Sequence, residues 1–322
     1  MKSPRWGRAA ALAAALALLA GCAAGARAPH HAGQRALGPP VNGKIVSRRR
    51  IRSVNNRVVV GARLYQIMYW SQGVLVGAYL TEPSAPGHYP LLVNLHGGYF
   101  APYYSTSSFG YPASLVSNLI NPNMVQLYPE YQGYMFSHGT GKGMATDNQD
   151  VLNAITAAES LGEVNPHALY FLGYSLGGGL ALMAAGEEPA ARAVAAVSPF
   201  GGFAANMEWI ASHFSAQNTL ITRTSDAASQ YGSLNPQAPA LVRRSPDVAA
   251  IHAPVLLLQG TADHHVLYEA VQLFASQLRA AHKTYRLILY PGGHHGLHHH
   301  NQAATISAID GWLQQYGLNF SL

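Results

Sequence analysis

A serine, an aspartate and a pair of adjacent histidines stand out in this chain of 322 residues, each within three residues of a glycine and each just past an apolar run. Ser175 lies in Gly173-Tyr174-Ser175-Leu176-Gly177, the G-x-S-x-G spacing in which a serine sits on a sharp strand-to-helix turn with its Oγ pushed outward. Side chains at Gly173 and Gly177 would collide with the turn and the neighbouring strand. The segment that follows lacks proline and β-branched residues over Leu180 to Ala185 and reads as a helix. Its free N–H groups and positive end would face any negative charge developing above Ser175. Asp263 follows the apolar run Val255 to Gln259 and a Gly260 turn. Such a carboxylate can hold a histidine tautomer and stabilise the imidazolium, or it can simply cap the helix beginning near Val266. His294 and His295 follow Leu287-Ile-Leu-Tyr290-Pro-Gly-Gly. Histidine has the unperturbed pKa best suited to taking and returning a serine proton, and the residues alone do not choose between these two. Together these groups are equipped for nucleophilic acyl transfer.

A fourth signal completes the set. Leu92-Val-Asn-Leu-His96-Gly97-Gly98-Tyr99 ends an apolar strand in two glycines, which let backbone N–H groups approach a substrate oxygen. The N–H of Leu176 with that of Gly98, or Tyr99 as second choice, would then bind the oxyanion. Two competing signals fail. The histidines from His294 to His300 have no carboxylate or cysteine close by in sequence, so no functional metal and no other cofactor is expected. Gly139-Thr-Gly-Lys142-Gly143 is not a phosphate loop, because Phe136 and Gly143 stand where that pattern needs Gly and Ser or Thr.

Positioning these residues requires elements that end at one edge. Val58–Val60, Leu64–Trp70 and Val74–Leu80 read as strands, with Ser71-Gln72-Gly73 as a hairpin turn. Strands over Leu91–Leu95, Met124–Tyr128, Ala168–Leu172, Ala193–Val197, Val255–Gln259 and Tyr285–Tyr290 then alternate with helices. The helices fall near Ala145–Leu161, after Ser175, near Val266–Ala281 and near Ala303–Tyr316. This alternation predicts an α/β fold, a mostly parallel central sheet with helices on both faces. Every candidate residue sits just past the C-terminal end of a strand, where open parallel sheets collect ligands. The less regular stretch from about Phe200 to Ala250 suits a small helical insert capping the site.

Composition excludes other classes. With 49% hydrophobic and 11% charged residues, the chain can bury a sizeable core and is not disordered overall. The net charge of +6 is unevenly spread: nine basic and no acidic residues lie between Arg27 and Arg63, whereas eight basic and fourteen acidic residues follow. Positive charge confined to one segment argues against nucleic-acid binding. Residues 1–22 read as a signal peptide, with Lys2, Arg5 and Arg8 ahead of the apolar run Ala9–Ala20. Leu19-Ala20-Gly21-Cys22 resembles the bacterial lipobox, so Cys22, the only cysteine, is the expected lipidation site. Cleavage near Ala24 with Cys22 discarded is the alternative. Residues 23–56 read as a flexible basic tether, in which Arg48-Arg49-Arg50 adds attraction to anionic lipid heads, and residues 57–322 as the catalytic domain.

The motifs together resemble the catalytic domain of the prolyl oligopeptidase family, whose fold is the α/β-hydrolase fold with its Ser, Asp, His chain order. The resemblance rests on His96-Gly-Gly, Pro129-Glu-Tyr131-Gln-Gly133-Tyr134, Asn165-Pro166, Gly173-Tyr-Ser175-Leu-Gly-Gly, Gly260-Thr-Ala-Asp263-His-His-Val266 and Tyr290-Pro-Gly-Gly-His-His-Gly296. It implies a catalytic set of Ser175, Asp263 and His295, because the family's histidine directly precedes glycine. Gln132 replaces the family's arginine after the tyrosine, which would remove a charge near the substrate entrance. The resemblance implies a serine hydrolase cleaving small peptides (amides) or esters through an acyl-enzyme. A carboxylesterase or deacetylase of the same fold is the alternative, and a non-catalytic surface binding protein a more distant one. In the family's larger peptidases a β-propeller precedes this domain, where here a tether and a short β segment stand. The leader predicts a location in a bacterial cell envelope, lipid-anchored to the membrane on its periplasmic or extracellular face.

Overall fold

The computed structural model describes residues 39–54, 57–58, 62–98, 123–141, 143–200, 235 and 237–320. Among the described residues nine strands form one sheet: β1 (Ile45–Ile51), β4 (Ala62–Ser71), β5 (Val74–Pro83), β6 (Tyr89–Leu95), β7 (Val125–Glu130), β8 (Val164–Tyr174), β9 (Ala191–Val197), β10 (Val255–Gly260) and β11 (Tyr285–Tyr290). Two-residue strands β2 (Ser53–Val54) and β3 (Arg57–Val58) pair separately; of the expected strand Val58–Val60, the last two residues lie outside the described set. The sheet order is β1-β4-β5-β7-β6-β8-β9-β10-β11. Pairing is antiparallel from β1 through β5 to β7 and parallel from β7 to β11. The hairpin turn is two residues long, with Gln72 at φ 51° and Gly73 at φ 81°, and it brings Ser71 opposite Val74. Positive φ at both central positions matches the turn to the right-handed twist of the strands it joins.

The parallel strands are apolar on both faces because helices cover both. Leu91, Val93, Phe171 and Leu257 point into one core with α1 (Met144–Glu159), α2 (Leu176–Glu187) and α4 (Tyr268–Ala280). Leu92, Leu172, Leu256 and Leu258 point the other way, onto Ile309, Trp312 and Leu313 of α5 (Gln302–Gln315). Helix α2 is buried along Leu176–Ala185. An all-round apolar helix of this kind belongs inside a protein, consistent with its packing on β6, β8 and β9 and against α1. The insert expected near residues 200–250 lies mainly outside the described residues; its described end holds the short helix α3 (Pro239–Val242).

The tether expected over residues 23–56 ends sooner than its composition suggests. Ile45–Ile51 is edge strand β1, paired with β4 from Ile45↔Tyr69 to Ile51↔Leu64. The Arg48 guanidinium lies over the Tyr65 ring, 4.0 Å from its centroid, and forms an ion pair with the buried carboxylate of Glu82. A run of arginines looks like a solvated segment until a buried acid across the sheet is known, and Glu82 is 34 residues away.

Candidate active site

Ser175 stands between β8 and α2 with φ 55° and ψ −120°, a conformation that non-glycine residues rarely adopt. Its surroundings hold it there. The Ser175 N–H donates to Val197 O at 2.9 Å, while its carbonyl accepts from the N–H groups of Gly178 (3.0 Å), Gly179 (3.3 Å) and Phe200 (2.9 Å). The flanking glycines are needed for close approach. A Cβ on Gly173 would lie 2.1 Å from Gly177 O, and one on Gly177 would lie 2.1 Å from Leu95 O. The turn is thus pressed between its own helix and the end of β6.

The structure brings Ser175, His295 and Asp263 together from positions far apart in the chain. His295 Nε2 lies 3.0 Å from Ser175 Oγ, and His295 Nδ1 lies 2.8 Å from Asp263 Oδ2. With Nδ1 protonated and donating to the carboxylate, Nε2 can accept the serine proton. Asp263 follows β10 and is buried. Its Oδ1 accepts from the backbone N–H groups of His265 (2.8 Å) and Val266 (2.9 Å), and its Oδ2 also accepts from Gln259 Nε2 at 3.0 Å. Burial raises the pKa of this carboxyl, but hydrogen bonding and charge interaction with His295, aided by the Val266 and His265 N–H groups, hold it below the usual carboxylate value. Asp263 does not cap α4, whose N-cap is Leu267. His294, the competing histidine, is exposed, with Nδ1 3.1 Å from Ala262 O.

The Gly97 turn lies directly against the serine: a Cβ there would stand 3.0 Å from Ser175 Cβ and from the Tyr174 ring. Gly98 follows at φ 122°, and Leu176 is the first residue of α2. Tyr99 and Cys22 lie outside the described residues. His96 is buried beneath this turn, its ring stacked on Tyr131 at 4.2 Å and 14°, and Nδ1 bonds Gly97 O at 2.8 Å. Burial lowers its pKa to about 4, outweighing the Gly97 hydrogen bond, so the ring is neutral at ordinary pH. Tyr131 O–H donates to His96 O at 3.1 Å.

Gln132 lies inside the fold. It is buried, and its backbone N–H and Nε2 donate to the Asp150 carboxylate at 2.9 and 3.0 Å. Burial raises the pKa of Asp150, against hydrogen bonds from Ser71, Gln132 and Gln72. Among the described residues no group of three or more His, Cys, Asp or Glu side chains is placed to hold an ion. His298 has a lowered pKa, from burial first and then from the charges of His299 and His295. Gln259 supports the site in a way that spacing did not reveal, since it is ordinary in sequence and acts through a contact made only on folding.

A mostly parallel, helix-covered sheet with a serine on a strained strand-to-helix turn is the α/β-hydrolase fold, and the protein is a serine hydrolase of that class. The chain belongs to the prolyl oligopeptidase family, whose model matches residues 130–319. It is 27% identical over 246 residues to the uncharacterized peptidase YtmA of Bacillus subtilis (strain 168), covering 74% of this chain and 87% of that one. Among solved structures it is similar to acetyl xylan esterase 1 of a Thermoanaerobacterium species, with TM-score 0.60 and 17% identity over 88% of this chain and 90% of that one. It is also similar to a puromycin-hydrolyzing peptidase of Mycobacterium tuberculosis, with TM-score 0.60 and 21% identity over 83% of this chain and 41% of that one.

Proposed function

We propose that the protein cleaves amide or ester bonds of small substrates through a covalent acyl-enzyme on Ser175. His295 takes the serine proton as Oγ attacks the carbonyl carbon, and Asp263 holds the imidazole and stabilises its charged form. The oxyanion is received by the N–H groups of Leu176 and Gly98, each such donor contributing about 2.7–4 kcal/mol to barrier lowering. His295 then passes the proton to the departing amine or alcohol, and water, deprotonated by the same ring, releases the acid. The observation that carries this reading is the continuous line of bonds from Ser175 Oγ through His295 to Asp263, at 3.0 and 2.8 Å. Peptide and ester cleavage share all of these residues and differ in how far the leaving group depends on protonation.

Two measurements test it. A fluorophosphonate probe is expected to modify the parent at Ser175 and to leave Ser175→Ala untouched; an unmodified parent that is fully folded sinks the proposal in favour of a binding protein. Turnover of paired aminoacyl p-nitroanilides and p-nitrophenyl esters then separates peptidase from esterase. The lipobox-like Leu19-Ala20-Gly21-Cys22 supports the further proposal that the mature chain is held to a bacterial envelope membrane through Cys22.

A further inference from the structure

The corner that follows β9, Val197-Ser198-Pro199-Phe200, touches the segments carrying all three residues of the proposed triad. Val197 O accepts the Ser175 N–H and the Phe200 N–H donates to Ser175 O, both at 2.9 Å. Ser198 N–H donates to Leu258 O at 2.8 Å, on the strand that leads to Asp263. Ser198 Oγ accepts the Gly296 N–H at 3.0 Å, and Gly296 directly follows His295. The corner has no slack against α2: a Cβ on Gly178 would stand 2.8 Å from Pro199 Cα, and one on Gly179 2.1 Å from Phe200 O.

Ser198 itself is fully buried at φ 45°. Glycine adopts that conformation freely, whereas other residues are strained there. What serine offers over glycine is the hydroxyl, and its acceptor role is spent on the histidine loop.

We propose that Ser198 is a positioning residue that sets the separation of the Ser175 hydroxyl and the His295 imidazole, by tying the loop at Gly296 to the corner that grips the Ser175 backbone. The inference rests on Ser175 being the nucleophile. Without the Ser198 hydroxyl, the tie from the Gly296 N–H to this corner is lost and the loop shifts, carrying His295 with it. A displacement of about 1 Å at such a distance lowers a rate by about 100-fold.

The test uses the full chain as parent, Ser198→Gly and Ser198→Ala. Fluorophosphonate modification rates, kcat and KM on p-nitrophenyl acetate, and thermal midpoints are measured. Both variants are expected to fold, the glycine one with the strain at this position removed. Both should lose about 10- to 100-fold in modification rate and kcat with KM within about twofold of the parent. A folded Ser198→Gly that reacts at the parental rate overturns the proposal, as does a loss confined to Ser198→Ala, which would trace the effect to backbone strain. A joint rise in KM and fall in thermal midpoint without a kcat deficit also overturns it. A parent that is not modified at all defeats the nucleophile assignment beneath it, a result separate from any difference between variants.

Discussion

Asp263 is buried and accepts four hydrogen bonds, two on each oxygen. Both of its neighbours at Oδ2, Gln259 Nε2 and His295 Nδ1, are donors, so only an oxygen suits that position. In Asp263→Asn, the remaining oxygen is drawn to the two backbone N–H groups, leaving an NH2 group to face His295. The ring then presents Nδ1 as acceptor and Nε2 as N–H, the tautomer that cannot take the serine proton. A fall in kcat of about 10⁴-fold is expected, with a much smaller change in KM. Retention of more than a tenth of parental kcat in the folded variant would remove Asp263 from the mechanism. The same logic explains why Ser175 and Asp263 were legible from sequence while Ser198 was not. The first two stand in spacings imposed by local turn sterics. The role of Ser198 depends on Gly296, 98 residues away.

At the level of elements, β1 shows how a basic segment becomes part of a sheet. Glu82 is buried on β5, and its pKa is raised to about 7, by burial against the opposing charge of Arg48, with Glu163 raising it further and Arg63 lowering it. Its folded pKa exceeds the unfolded carboxylate value, so this group lowers stability as pH rises from about 4 through 7. Removing Arg48 raises that folded pKa further and deepens the loss once Glu82 ionises. Arg48→Ala is therefore expected to cost about 1–3 kcal/mol at pH 8 and less at pH 5, read from urea midpoints at the two values. Equal costs at both values would show that the Tyr65 contact, not the ion pair, docks the strand. The helices and most strands of the sheet were readable because apolar periodicity reports burial directly. The strand Ile45–Ile51 was not, because Ser47-Arg48-Arg49-Arg50 has no apolar alternation and its partners are supplied by β4 and β5.

Over the whole molecule, charge is divided between a basic approach, residues 27–63, and an acidic remainder. Part of that basic segment is committed to the fold: Arg48 to Glu82, and Arg63 to Glu163 at 2.8 Å. No helix among the described residues is long and apolar enough to cross a membrane, and the proposed anchoring rests on Cys22. Cys22→Ser is expected to abolish incorporation of labelled palmitate and to shift the protein from the membrane fraction to the soluble one. Continued membrane retention without the label would assign anchoring to the basic segment instead.

Sequence by itself determined the turn at Ser175, the strand ends and the layered α/β arrangement, because glycine sterics and hydrophobic periodicity act over a few residues. Residue types narrowed the proposed base to two neighbouring histidines, and the family resemblance selected His295. Only the tertiary structure decided the distance from the His295 imidazole to Ser175, that Gln132 turns inward to Asp150, and that the corner at Ser198 touches the segments carrying Ser175, Asp263 and His295. Those are distances between residues remote in the chain, set by how strands stack side by side, and no local spacing encodes them.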